Sequence, residues 1–211
     1  MTAIGRRPPA RPRDAASLVL LRGQGEGAEV LMGRRARQHR FLPDVYVFPG
    51  GRLDPADRRL VPLRALAPAV AARLARHCLP ARATALAAAA VRETFEETGL
   101  ILGEFDAGGL RPDLGALDYL ARAITPSASP IRFHARFFLA AAEAAGGNLR
   151  DSNELIDLRW FAIGAALRLP LADVTEFLLH ELERRLANGG AGAETPLWSY
   201  RGGVARVRRD R

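Results

Sequence analysis

Residues 89–100 read AAVRETFEETGL and place Glu93, Glu96 and Glu97 within five positions of a chain whose net charge is +8. The segment has helical composition, and Gly99 stands where a left-handed C-cap belongs. On a wheel at 100° per residue, Ala88, Val91 and Phe95 share one side and the three glutamates share the opposite one. Such an apolar stripe packs inward, so the glutamates are expected to face away from the core. Spaced i, i+3 and i+4, they repel one another at a cost of about 0.2–0.5 kcal/mol per pair. They also sit in the last turns, at the negative end of the helix dipole. Two arrangements relieve the cluster. One is a solvated acidic face neutralised by arginines such as Arg92. The other is a divalent cation, because hard cations such as Mg2+ take oxygen ligands and clustered carboxylates supply them.

A family resemblance favours the cation. RETFEETG resembles the Nudix hydrolase box, a family motif of Gly, five residues, Glu, seven residues, then Arg-Glu-apolar-x-Glu-Glu-x-Gly-apolar. Arg92, Glu93, Glu96, Glu97, Gly99 and Leu100 match it, and Thr94 replaces the apolar residue. The upstream half is FPGGRLDPAD, in which Gly51 fits the first glycine and Asp57 falls where the family has Glu. Between Asp57 and Arg92 lie 34 residues where the family usually has 7, so the box carries an insertion, assigned to residues 58–88. Closing a longer loop costs little entropy per added residue, so the two halves can still meet.

LMGRRARQHRFLPDVYVFPGG (31–51) is similar to the stretch before the box in the coenzyme A diphosphatase branch. Leu31, Arg35, Ala36, Arg40, Phe48, Pro49, Gly50 and Gly51 fit in register, while Met32, Gly33 and Asp44 depart from it. With the long insertion, the pattern looks most like the peroxisomal-type subgroup of that branch. The resemblance covers roughly residues 15–165.

This resemblance implies an α/β fold, the Nudix α/β/α sandwich with a mixed sheet, its box forming a loop-helix-loop. It implies a hydrolase that splits a nucleoside diphosphate linked to another group, with Mg2+ or Mn2+ as cofactor. Splitting a pyrophosphate requires charge neutralised on the bridging and leaving oxygens and an activated water. Glu93, Glu96 and Glu97 would hold the ions with the Gly50 carbonyl, and one of the three could serve mainly as base. Arg92 would orient a box glutamate. Family members often take a further acidic group from a later loop. DSNELIDLRWF offers Glu154, six residues before Trp160, as that group or as an ordinary acidic loop residue. Arg35 and Arg40 are candidates for gripping substrate phosphates, since arginine forms bidentate phosphate contacts.

These residues need a frame. ASLVLLR and AEVLMGRR around GQGEG read as a hairpin, and VYVFPGG as a third strand. Residues 62–79 have helical spacing and end at Pro80; Leu74 and Leu79 suggest that this segment packs on something. Residues 82–98 are the clearest helix, and 113–124 read as another. Residues 131–142 and 155–163 read as strands, with a loop at Gly146 and Gly147, and 174–187 as an amphipathic helix. Interspersed strands and helices argue for a layered α/β arrangement. The domain is assigned to 15–188, preceded by a disordered arm over 1–14 and followed by a Gly-rich basic tail over 189–211. For the insertion, a substrate lid, a homodimer contact and decoration are all consistent with its composition.

The 211 residues can bury a sizeable core. All 31 basic residues are arginine, which fits a coding bias and also a field that attracts phosphate-rich ligands. Cys78 is the only cysteine, so no internal disulfide forms, as in a reducing compartment; Cys78, His77 and His134 read as structural. The N-terminal stretch has no apolar signal core, no segment approaches a membrane span, and Arg209-Asp210-Arg211 is no peroxisomal address, so a cytoplasmic location is expected. The expected partner is a small-molecule nucleotide diphosphate substrate, with no membrane partner. Three functions compete: a coenzyme A-type diphosphatase, a pyrophosphatase for ADP-ribose or another nucleotide derivative, and a non-catalytic Nudix-like module binding nucleotide or RNA. Intact glutamates in a mutually repelling cluster count against the module, as does an arginine tail poor in stacking aromatics.

Overall fold

The run Leu18-Val19-Leu20-Leu21 is apolar on both faces of a strand, which only a sheet covered on both sides can bury. In the computed structural model, which describes residues 10–37, 43–189 and 194–210, this run lies in β1 (Arg13–Arg22). β2 (Glu29–Arg35) completes the expected hairpin. The third strand forms as two short pieces, β3 (Tyr46–Val47) and β4 (Gly50–Arg52). Helices α1 (Pro68–Ala75) and α2 (Pro80–Thr98) follow. Pro80, expected to end the first helical segment, opens the second, where its missing N–H costs nothing.

β5 (Leu100–Ile101), β6 (Gly103–Asp106) and β7 (Gly109–Pro112) are short. β8 (Asp118–Ile124), β9 (Phe133–Ala141), β10 (Gly146–Gly147) and β11 (Leu155–Ala162) come next. α3 (Ile163–Ala166), α4 (Asp173–Ala187) and the hairpin β12 (Thr195–Arg201) and β13 (Val204–Asp210) end the described chain.

The main sheet runs β11-β2-β1-β9-β8-β12-β13, with β3 beside β2 and β4 beside β1. It is mixed, because β1–β9 and β8–β12 are parallel and the other pairs antiparallel. Alternation along β1 and β2 feeds two cores. Leu18, Leu20 and Leu31 pack with Leu74 of α1 and with Leu86, Ala90 and Val91 of α2. Val19, Val30 and Met32 pack with Leu178, Leu179 and Leu182 of α4 on the opposite face. The result is the expected α/β/α sandwich with a mixed sheet.

Other expectations change too. Residues 113–124, read as a helix, form a short turn at Leu114–Ala116 and then strand β8. As a central strand covered on both faces, β8 is apolar on successive residues, so its pattern carries no clean period of two. Residues 189–211, read as a tail, contain a hairpin that joins the sheet through β8. Of the expected arm, residues 1–9 lie outside the described residues, and Arg13 and Asp14 already belong to β1. Within 58–88, Leu74 is buried as expected, whereas Leu79 is 77% exposed.

Burial holds the His134 imidazole neutral, pushed down to about 4 with help from Arg136 and Arg122. The Cys78 thiol hydrogen-bonds the Leu74 carbonyl at 3.5 Å. Among the described residues, no helix is long and apolar enough to cross a membrane.

Candidate active site

β4 and the last turns of α2 meet at the glycine turn. A Cβ on Gly50 would lie 2.2 Å from Ser17 Oγ and 2.5 Å from the Ala16 carbonyl oxygen, so only glycine fits against β1. A Cβ on Gly51 would lie 2.3 Å from Glu93 Oε1. That missing side chain is what lets α2 bring its carboxylates to the turn. The Gly50 N–H donates to Glu97 Oε2 at 2.8 Å. α2 ends at Gly99, whose φ of 76° closes the helix with a hydrogen bond from its N–H to the Phe95 carbonyl.

Arg92 gathers the acidic groups around it. Its Nε donates to Asp57 Oδ1 at 2.7 Å and its Nη1 to Glu96 Oε2 at 2.8 Å. Its Nη2 pairs with Glu93 Oε1 at 3.0 Å and reaches the Arg52 carbonyl at 3.3 Å. Asp57 is fully buried and closes a capping box with Asp54, accepting the Asp54 N–H at 2.7 Å. The residue at the position of the family's first glutamate thus anchors the arginine that touches two of the others. The 34 residues between Asp57 and Arg92 do not separate the two halves of the box.

The glutamates differ from the wheel expectation. Glu96 is exposed, but Glu97 retains only 4% exposure, because the Gly50 turn covers the side that a helix alone leaves open. Burial pushes the Glu97 carboxyl up to about 8, and the Glu93 and Glu154 charges add to this against the Gly50 N–H and Arg35. Burial also raises Glu93; Arg92 opposes it, and Glu96 and Glu154 reinforce it. Thr94, the departure from the motif, is fully buried and donates to the Ala90 carbonyl at 2.8 Å.

Glu154 comes from the loop before β11 and shares a pocket of about 220 Å³ with Glu93, Glu96 and Glu97. The loop is well braced. Ser152 Oγ accepts the Glu154 and Leu155 N–H groups at 3.2 and 3.0 Å. The Asp151 carboxylate accepts from Asp157 and Leu158 at 3.0 and 3.1 Å. Asp157 has a φ of 55° at the bulge in β11, and the Tyr46 hydroxyl donates to its carboxylate. Arg35, at the end of β2, borders the same opening as Gly50, Gly51 and Glu93. Arg40 lies outside the described residues.

Among the described residues, no three acidic, histidine or cysteine side chains are gathered closely enough to hold an ion as they stand. Arg92 holds Glu93 and Glu96, and Gly50 holds Glu97. The donor set is nonetheless all oxygen and carries more negative charge than its burial tolerates, which suits a hard divalent cation. Sequence reasoning left Asp57 without a role, although the Asp54–Asp57 spacing after a strand is a capping signal. It also missed a groove of about 1580 Å³ that runs from these glutamates to Trp198 and Tyr200 of β12. The alternating apolar residues of TPLWSYR before Gly202-Gly203 were the available signal.

A family model described as the NUDIX domain matches residues 11–181. A NUDIX hydrolase from Alicyclobacillus acidocaldarius is similar at 30% identity over 84% of this chain and 96% of that one, with a TM-score of 0.65. The NUDIX domain of Shewanella oneidensis NrtR, complexed with ADP ribose, is 15% identical over 84% and 90%, TM-score 0.54. A C. elegans Ap4A hydrolase is 17% identical over 83% and 98%, TM-score 0.50. The last two show likeness of fold.

Proposed function

Because the chain belongs to the NUDIX domain family, whose hydrolases act on pyrophosphate bonds of small nucleotides with divalent cations, we propose that it is an (acyl-)coenzyme A diphosphatase using Mg2+ or Mn2+. One observation supports the site: Glu93, Glu96, Glu97 and Glu154 border one pocket at a turn where glycine alone fits. Glu93, Glu96 and Glu97 would hold the cation with the Gly50 carbonyl. The bound cation would neutralise charge on the bridging and leaving oxygens and help ionise a water.

In this proposal, the protein's own groups do the rest. Arg92 sets the positions of Glu93 and Glu96, anchored from behind by buried Asp57. Glu154, held on its braced loop, or one of the box glutamates takes the proton of the attacking water. Arg35, beside Gly51 in the groove, grips a phosphate oxygen, and Arg40 is proposed for a second phosphate. The coenzyme A assignment rests on residues 31–51, where Arg35, Ala36, Phe48 and Pro49 keep the branch's register. ADP-ribose is the second reading, favoured by the ligand in the Shewanella oneidensis relative.

The test is turnover with Mg2+ or Mn2+ across coenzyme A, acetyl-coenzyme A, ADP-ribose, NADH and GDP-mannose, beside Glu97→Gln. The expected result is turnover of both coenzymes A, lowered roughly 10²–10³-fold in the variant. Turnover of ADP-ribose alone would discard the coenzyme A assignment. A folded protein inactive on the whole panel with both cations would discard the proposal.

A further inference from the structure

The register of the main sheet lines up one row of residues across five strands. Arg52 of β4 pairs with Ala15 of β1, Ala15 with Ala135 of β9, Ala135 with Ala123 of β8, and Ala123 with Trp198 of β12. The row therefore begins beside the glycine turn, crosses three consecutive alanines and ends at an indole. All five residues border the groove that reaches the glutamates; Ala15 and Ala135 are half-buried, while Ala123 and Trp198 at the far end are covered to 5% and 8% exposure by the packing of α4. At about 4.8 Å per strand, four steps make a floor roughly 19 Å long, the length of five or six extended residues.

The sides of this floor are tall. Phe133 and Phe137 flank Ala135 on the same strand face, because they stand two residues before and after it. The end is fixed. Trp198 stacks on Phe177 of α4 with centroids 6.5 Å apart and meets Tyr200 edge-on at 4.8 Å. The Tyr200 hydroxyl in turn donates to Asp173 at the start of α4 at 2.5 Å. Between Arg52 and Trp198 the row itself carries no charge, and Arg13, two residues before Ala15 on the same face of β1, stands beside it.

We propose that this alanine-floored trough receives an elongated, largely uncharged arm attached to the pyrophosphate, with Ala15, Ala135 and Trp198 setting substrate specificity. The inference rests on the hydrolase reading above. Three small side chains in succession leave a narrow channel beside Phe133 and Phe137, whereas a compact sugar does not need its length. The hairpin β12–β13 thereby becomes part of the binding site.

The test reads binding without hydrolysis. In a Trp160→Phe background, Trp198 is the only tryptophan, and its emission is followed as 4′-phosphopantetheine or ribose 5-phosphate is added. The expected result is a saturable change with 4′-phosphopantetheine alone, weakened at least tenfold by Ala135→Leu. Ala15→Leu, on a neighbouring strand, gives the same reading if Ala135→Leu fails to fold. An equal response to ribose 5-phosphate, no saturable response to 4′-phosphopantetheine, or indifference to both leucines would overturn the trough. Failure of the hydrolase reading shows separately, as absence of turnover across the substrate panel, and leaves this titration interpretable.

Discussion

Glu97 shows how a single residue departs from what its sequence neighbours imply. A wheel places it with Glu93 and Glu96 on an outward face, which is why the sequence offers the cluster as a candidate cation site. Its burial was not legible, because the backbone that covers it comes from Gly50, 47 residues away. The consequence is a pH dependence with a definite sign. In chelator, the folded protein holds the Glu97 proton up to about pH 8, while the unfolded chain releases it near the ordinary 4.5. The folded state therefore binds more protons between those values, and stability falls as pH rises through that window. Melting in EDTA at pH 5.5 and 8.5 should show a drop for the native sequence and a smaller one for Glu97→Gln. Equal drops would mean that Glu97 ionises normally.

At the scale of elements, the site depends on how closely β4 and α2 approach. Gly51→Ala puts a methyl group 2.3 Å from Glu93 Oε1, so either the carboxylate or the turn must move. Overpacking of this kind costs about 1–3 kcal/mol. Turnover should fall further than stability alone explains, and activity measured well below the melting temperature separates the two. The hairpin, the box helix and α4 were legible because their periods and caps are local. β8 was not, because a strand buried on both faces loses its alternation and its residues also suit a helix. β12 and β13 were obscured by glycine and arginine content, although Gly202 and Gly203 take the positive φ values that a tight hairpin requires.

For the molecule as a whole, the C-terminal hairpin completes the sheet. Trp198 belongs to the core beneath α4, and Arg209 reaches the buried Glu181 carboxylate at 2.9 Å. A chain ending at Asn188 would uncover the β8 edge and leave Glu181 with fewer partners. Its melting temperature should fall by more than that of a chain lacking only residues 1–9, as differential scanning calorimetry would show; equal values would make the hairpin an appendage. The net charge of +8 fits both a coding bias and an attraction for phosphate-rich ligands, and the place where such a ligand would sit depends on the fold. Asp57 and Arg92, 35 positions apart, meet only because α1 and the start of α2 fold back between them. The central claim is that the carboxylates gathered there hold a divalent cation. Calorimetric titration of Mn2+ into the native protein and into Glu93→Gln and Glu97→Gln tests it most directly. The account predicts saturable binding that weakens by roughly tenfold or more in each variant; binding that is unchanged by both substitutions would contradict it.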